Sequence, residues 1–249
     1  MTTSTSETGH AKNVANFEAL IAFCKGYGSD YQPTDSNQEI KSMQILCDKA
    51  NASITLVNQM LKPYSKAVEE REIAFNPLSK LTTRVISALA ASKVSQQAID
   101  NAHTHASKIK GVRIGKKAKP TIDPNNPDAK AIDNSISVSQ LSYNSKVDNL
   151  EKLIESLKGE PKYVPNETEL KISTLEELLN NLKVKNLAVL DATQPLSNAR
   201  INRNSVLYNS NDGLVIIAKD VKNYVKSIYS PTHPKYKQIS GLAFKQVND

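Results

Sequence analysis

The sequence has few of the residues on which disulfide-rich, metal-binding and turn-rich proteins depend. Its 249 residues include no tryptophan, two cysteines, four histidines and eight glycines. The cysteines form no C-x-x-C pair and no Cys/His cluster, which excludes a disulfide framework and the common zinc motifs. Scarce glycine and aromatic residues, together with plentiful alanine, leucine and lysine, favour helices over sheets.

Long apolar runs are also absent. The densest run, Leu214 to Ala218, is far shorter than the ~20 residues that cross a bilayer. Residues 1–9 are rich in threonine and serine, and they lack the positive start and apolar core of a signal peptide. We therefore expect a cytoplasmic protein without a membrane-spanning segment.

Recognisable catalytic motifs are missing as well. The sequence has no G-x-S-x-G, Walker, G-x-G-x-x-G or H-E-x-x-H pattern. His103 and His105 are two residues apart, so on a helix they point in different directions. His10 and His233 have no partner at a metal-site spacing. We predict that the protein is not an enzyme, that it uses no cofactor and no metal, and that its histidines lie at the surface.

The dominant pattern that is present is a long amphipathic stretch between Thr34 and Phe75. Apolar residues recur there at alternating spacings of three and four, which places them on one side of a helix. They are Ile40, Met43, Cys47, Ala50, Ile54, Val57 and Leu61. Asp35 precedes them as an N-capping residue. The pattern predicts a helix over about 37–75 that bends at Pro63, because proline removes a backbone donor.

The same stretch occurs twice. Tyr31-Gln32-Pro33 reappears as Tyr163-Val164-Pro165 at an offset of 132 residues. That offset also relates Ile40 to Ile172, Met43 to Leu175, Leu46 to Leu178, Val57 to Val189, Pro63 to Pro195 and Arg71 to Arg203. An offset of 133 matches Val14, Asn16, Glu18, Leu20, Ile21 and Lys25 to Val147, Asn149, Glu151, Leu153, Ile154 and Lys158. Unrelated amphipathic helices would share apolar spacing alone, so we interpret the match as an internal duplication.

The duplication sets the predicted domain organisation. We expect a polar tail over 1–11, a first helical copy over 12–114, a basic and polar linker with a short strand over 115–141, and a second copy over 142–249. Apolar residues alternate with others in 109–114, 239–244 and 135–142, which suits short strands. The predicted fold class is mainly α: an internally duplicated helical bundle with long kinked helices and a small β element of two or three strands.

A basic cluster lies at the end of the first copy and is a candidate anion or nucleic-acid contact. It consists of Lys108, Lys110, Arg113, Lys116, Lys117 and Lys119. The chain as a whole has a formal net charge of +7, and basic clusters bind phosphate groups in nucleic-acid-binding proteins. No aromatic residue is interleaved for base stacking, and three aspartates follow closely, so a solvated linker is the favoured interpretation.

Arg71 and Arg203 form a candidate pseudo-symmetric pair of structural polar residues, because the duplication retains both. Such a pair suits an anion or partner site. It also suits contacts between helices, where arginine pairs with a carboxylate or keeps its charged end in water. Cys24 and Cys47 align with leucines of the second copy, which indicates small core residues.

Three functional hypotheses fit these features. The favoured one is a non-enzymatic structural or interaction protein that associates with itself or bridges protein partners through its duplicated helical faces. The second is a membrane-active protein, since long helices around a short β segment resemble α-helical pore-forming toxins, although residues 111–142 are basic and polar where those toxins insert an apolar tongue. The third is nucleic-acid binding through the basic cluster.

Three segments carry a further resemblance. Residues 13–36, 142–157 and 236–241 resemble uncharacterised helical proteins of Bacteroidetes-type bacteria. The resemblance implies a helical fold, and it adds no activity, cofactor or partner.

Overall fold

The computed structural model describes residues 8–111 and 142–247. These residues are mainly helical, as the sequence predicts. The helices are α1 Thr8–Gly26, α2 Ile40–Phe75, α3 Leu78–Ala91, α4 Gln96–Lys110, α5 Tyr143–Lys158, α6 Ile172–Tyr208, α7 Leu214–Ile228 and α8 Pro234–Ser240. Short 3-10 turns lie at Gly28–Asp30, Ser36–Gln38 and Thr168–Leu170. α1 thus begins inside the segment that the sequence assigns to a polar tail.

The two long helices begin in the same way and each contains a proline. Each follows a short 3-10 turn. Before α2, the Asp35 side chain accepts a hydrogen bond from the backbone N–H of Asn37, which satisfies one free donor of that turn. Pro63 lies inside α2 and Pro195 inside α6. Both helices continue past the proline, for totals of 36 and 37 residues.

The two halves of the chain present the same order of α-helices. α1 and α2 are followed by α3 and α4, and α5 and α6 are followed by α7 and α8. Two 3-10 turns separate α1 from α2, and one separates α5 from α6. The last helix differs in length, with 15 residues in α4 and 7 in α8.

The described residues divide into two compact units. Unit 1 comprises residues 8–65 and 191–247, and unit 2 comprises residues 66–111 and 142–190. Each unit therefore combines the first part of one predicted copy with the second part of the other. In unit 1, α1 packs on α7 and α8, and in unit 2, α5 packs on α4. The long helices α2 and α6 each contribute to both units.

The core of unit 1 is built mainly from α1, α7 and the first part of α2. Its buried residues are Val14, Phe17, Leu20, Ile21, Cys24, Tyr27, Tyr31, Met43, Cys47, Ala50, Leu207, Leu214, Val215, Ile217, Ala218, Val221, Val225 and Ile239. Both cysteines are free thiols in this core. Burial raises the pKa of Cys24 and of Cys47 to about 12. The thiols are therefore protonated at neutral pH and pack as small apolar groups.

The core of unit 2 is built from the helices that correspond to those of the unit 1 core. It is formed by the inward faces of α3, α4 and α5, with the end of α2 and the first part of α6. Its buried residues are Phe75, Leu78, Val85, Leu89, Ala102, Ile109, Val147, Leu150, Leu153, Ile154, Leu157, Tyr163, Leu170, Leu175, Leu179 and Leu182. These residues include many of the apolar positions that the sequence pattern places on the inner side of each helix.

The predicted small β element is wrong for the residues that the structure describes, because none of them forms a strand. Residues 109–110 belong to the last turn of α4, and residues 239–240 belong to α8. The rest of the first candidate strand, 112–114, and residues 135–141 of the third lie outside the described residues.

Residues 242–247, which we call the strap, have no regular secondary structure. Side chains of α1, rather than a neighbouring strand, bind their backbone. Asn13 Nδ2 donates to the Lys245 carbonyl oxygen at 2.7 Å, and the Lys245 N–H donates to Asn13 Oδ1 at 3.1 Å. Asn16 Nδ2 donates to the carbonyl oxygen of Ala243 at 2.7 Å. Alternating apolar residues therefore do occur here, but without the backbone ladder that defines a strand.

Candidate functional site

A cleft opens in unit 2 where several helix ends meet. Its volume is about 510 Å³, within the ~300–1,000 Å³ that is usual for ligand sites. α2 ends and α3 begins beside it, the last turn of α4 borders it, and α5 begins at it. The lining residues are Glu72, Ile73, Phe75, Asn76, Leu78, Ser79, Ile109, Tyr143 and Lys146.

The break between α2 and α3 forms one wall of the cleft. The Asn76 N–H still donates to the Glu72 carbonyl at 3.0 Å, as in a helix. Pro77 has no N–H and cannot continue the hydrogen-bond pattern, so the chain turns and α3 begins at Leu78. The side chains on either side of the break, Phe75 and Leu78, are buried in the unit 2 core.

The first residue of α5, Tyr143, forms the opposite wall. Its ring meets that of Phe75 edge to face, with centroids 4.8 Å apart and an interplanar angle of 78°. The Arg71 guanidinium carbon lies 3.9 Å from the Tyr143 ring centroid, which is a cation–π contact. The Tyr143 ring is therefore held between an aromatic edge and a cation.

Arg71 is incompletely hydrogen-bonded. Its Nη1 donates to Asn186 Oδ1 at 3.4 Å, a long contact. Its Nε is buried and has no hydrogen-bond partner among the described residues. An unsatisfied buried donor costs about 1–3 kcal/mol, and the contact with the Tyr143 ring offsets part of that cost.

The polar side chains that line the cleft include one that is negatively charged and one that is positively charged. Glu72 and Lys146 supply a carboxylate and an ammonium group, and Asn76 and Ser79 supply neutral donors and acceptors. Lys146 Nζ lies 5.8 Å from the Tyr143 ring centroid. This arrangement can bind a ligand that has hydrogen-bond donors and acceptors beside apolar groups.

Arg203, the predicted counterpart of Arg71, lies in unit 1 in a different environment. Its side chain is completely buried. Nε and Nη2 both donate to Asn204 Oδ1, at 3.1 and 2.8 Å. The structure places the two arginines in different units, so the candidate pair does not form a single site within either unit.

The positions of unit 1 that correspond to the cleft hold a buried polar cluster. His10 corresponds to Tyr143 at the offset of 133, and Tyr208 to Asn76 at the offset of 132. The Tyr208 hydroxyl lies 2.7 Å from His10 Nδ1, and it accepts from Asn13 Nδ2 at 3.3 Å. His10 and Asn13 are buried, so the prediction of surface histidines is wrong for His10, which lies inside α1.

The basic cluster is only partly within the described residues. Lys108 and Lys110 are half-buried residues in the last turn of α4, where cations complement the negative helix end. That helix ends at Gly111, whose φ of 69° is the left-handed conformation usual for this cap. Arg113, Lys116, Lys117 and Lys119 lie outside the described residues. Nucleic-acid binding through this cluster remains a prediction.

Residues 8–111 and 142–247 also bear on metal and membrane sites. That part of the chain contains no group of three or more His, Cys, Asp or Glu side chains placed to hold a metal ion. Within the same residues, no helix combines the length and apolar composition needed to span a bilayer. Comparisons with protein family models, with curated proteins and with solved structures find no match to this chain.

The cleft itself was not predicted from the sequence. Asn76-Pro77 is a local break in the helical pattern, and this break forms one wall of the cleft. Tyr143 belongs to the other copy, and its contact with Phe75 joins residues 68 positions apart (143 − 75). No periodicity within a helix reports such a contact, because periodicity describes only which side of a helix is apolar.

Proposed function

We propose that the protein is a non-enzymatic structural or interaction protein that associates with itself or bridges protein partners through a helical face. The observation that carries this proposal is an exposed apolar face on α6 in unit 2. Val184, Leu187 and Leu190 are 62%, 55% and 66% exposed. We call these three residues the α6 face. Because these apolar side chains are exposed to water, they do not contribute the stabilising free energy that burial of apolar surface supplies.

The charged neighbours of the α6 face bind within unit 2. Lys183 Nζ lies 2.8 Å from a Glu151 carboxylate oxygen. Lys185 Nζ lies 2.8 Å from Glu70. These ion pairs direct the lysine side chains toward the unit itself, so they leave the α6 face free for a partner. Apolar residues three apart on a helix are the anchors with which helices bind other proteins.

The duplication supplies an internal comparison. At the offset of 132, the positions of Val184, Leu187 and Leu190 correspond in α2 to Ala52, Thr55 and Asn58. The two long helices thus differ in the chemistry of the same face. We assign the proposed contact to α6 alone.

Size-exclusion chromatography with light scattering over a range of concentrations tests the proposal. The full chain should increase in mass as its concentration rises. Leu187→Lys should weaken this association about tenfold or more, because a charge replaces an anchor. Thr55→Lys adds the same charge at the equivalent exposed position of α2 and should leave the association unchanged. A chain that stays monomeric at every concentration, and binds no protein partner, contradicts the proposal.

A further inference from the structure

We infer that the α6 face binds the same face of a second copy of this chain, with the two helices antiparallel about a twofold axis at Leu187. The inference rests on the proposed function, because it names the partner for the contact proposed there. The observation that points to a second copy is the arrangement of charge around the three apolar residues.

Two opposite charges lie at equal distances from Leu187 along α6. Lys183 precedes Leu187 by four residues, Asp191 follows it by four, and both side chains are exposed. Residues four apart lie on the same side of a helix, so both charges share the side of Leu187. Val184 and Leu190 lie three residues before and after it. The apolar residues are therefore symmetric about Leu187, whereas the charges are opposite in sign.

This pattern is self-complementary when two copies of the helix run antiparallel. A twofold axis at Leu187 brings Lys183 of each copy beside Asp191 of the other, which gives two ion pairs around an apolar centre. In a parallel pair, lysine would meet lysine and aspartate would meet aspartate, and these like charges repel. A second copy thus already has the complementary charges that any other partner would have to supply separately.

Both charged groups are available for this contact. Lys183 Nζ lies 2.8 Å from a Glu151 carboxylate oxygen, but the lysine side chain is still 44% exposed. An ammonium group has three donors, so it can bind Glu151 and the Asp191 carboxylate of the second copy together. Among the described residues, Asp191 has no hydrogen-bond or ion-pair partner.

The next positions outward are neutral. Asn180 and Gln194 lie seven residues before and after Leu187, and both are exposed. The antiparallel packing places each amide near the other amide of the second copy, where the two can hydrogen-bond. The contact therefore has an apolar centre and a polar rim, as protein interfaces usually do. Because one helix segment makes a small interface, the dimer should form only as the concentration rises.

Charge reversal tests the inference, and sedimentation equilibrium over a range of concentrations is the measurement. Lys183→Glu and Asp191→Lys should each weaken self-association at least about tenfold, because each turns two attractive pairs of the dimer into repulsive ones. An equimolar mixture of the two variants should associate as tightly as the natural chain, because opposite charges then meet at both ends of the contact. A variant that failed to fold would not recover in the mixture.

Lys185→Glu is the matched control. It also removes an ion pair within unit 2, since Lys185 Nζ lies 2.8 Å from Glu70. Lys185 is two residues from Leu187 and lies on a different side of α6, so this variant should associate as the natural chain does.

Other results would overturn the inference. Self-association that neither reversal weakens, or that Lys185→Glu weakens equally, would exclude the antiparallel contact at Leu187. A natural chain that is monomeric at every concentration would exclude a second copy as the occupant of the α6 face. If that monomer bound another protein and Leu187→Lys abolished the binding, the proposed function would stand without this inference. If it bound none, both would fail.

Discussion

The Tyr31 hydroxyl donates a hydrogen bond to the backbone carbonyl of Gln38, seven residues later, at 2.7 Å. In the second half of the chain, the Tyr163 hydroxyl donates to the carbonyl of Leu170, also seven residues later, at 2.8 Å. Each acceptor lies in the 3-10 turn that precedes a long helix. The tyrosine therefore ties the incoming chain to the start of that helix. The two halves of the chain therefore share a side-chain contact at the start of their long helices.

Tyr31→Phe and Tyr163→Phe should each lower the free energy of unfolding by about 1 kcal/mol, because each removes the hydrogen bond from the hydroxyl to that carbonyl. Urea unfolding followed by circular dichroism measures the change. Tyr64→Phe is the control, since Tyr64 is a half-buried tyrosine whose hydroxyl has no described hydrogen bond. Equal effects at all three positions would show that the shared contact does not stabilise the fold.

The two equivalent arginines should respond differently to the same substitution. Arg71→Met removes a buried unsatisfied donor and a contact with Tyr143, so the free energy of unfolding should stay constant or rise by up to about 1 kcal/mol. Arg203→Met removes a completely buried group with two hydrogen bonds to Asn204 and should cost about 2–4 kcal/mol. Thermal and urea unfolding measure the free energy of unfolding of both variants. A larger loss of stability in Arg71→Met than in Arg203→Met would contradict this prediction.

The strap should depend on Asn13 more than on Asn16. Asn13→Ala removes two hydrogen bonds to Lys245, whereas Asn16→Ala removes one exposed bond to Ala243. We expect amide hydrogen exchange at Lys245 to accelerate by about tenfold or more in Asn13→Ala, since about 1.4 kcal/mol is lost. Asn16→Ala should accelerate amide hydrogen exchange at Lys245 by a smaller factor. Unchanged protection in Asn13→Ala would show that apolar contacts alone hold the strap.

His105 should make stability depend on pH. Burial lowers its pKa below the ordinary value of 6.5. The neighbouring groups are Lys108 and Lys152, which lower the pKa further, and Asn149 and Asp148, which raise it. At pH values where His105 titrates, the folded chain therefore binds fewer protons than the unfolded chain. The contribution of neutral His105 to the free energy of unfolding is complete above pH 6.5 and is lost as the pH falls below that value.

Urea unfolding at several pH values measures this contribution. His105→Gln should show a smaller loss of stability than the natural chain between about pH 7 and pH 5. The comparison is made relative to each protein at about pH 8, where the imidazole is neutral. Parallel curves for the two proteins would mean that the protonation of His105 costs the same in the folded and unfolded chains.

The helices were largely predictable because their signals are local. Leu78, Leu81, Val85 and Leu89 recur at the spacing of one side of a helix, and α3 spans Leu78–Ala91. Ser95 is a residue type that caps helices, and its side chain accepts from the Ala98 N–H at the start of α4. Capping residues, prolines and apolar spacing act within one or two turns, so they can be read from a short window.

The partners of those helices were not predictable. The apolar side of α1 suits several helices equally, and nothing in its sequence favours α7 of the other copy over α3 of its own. For the same reason His10 was expected at the surface, although its partner Tyr208 lies 198 positions away. The expected strand at 239–244 failed because side chains of α1 bind the strap backbone, a contact between residues more than 200 positions apart. Such choices depend on packing between distant segments, which periodicity does not encode.

Each unit combines helices from both predicted copies. Light scattering of the separated copies, residues 1–114 and 142–249, tests whether each copy needs the other to fold. Neither fragment should be a folded monomer, because α1 then lacks α7 and α8, and α5 lacks α4. Mixing them should give a one-to-one complex with the helix content of the full chain. A fragment that is alone a monomer with cooperative unfolding would contradict the account, because its helices would have found their partners within one copy.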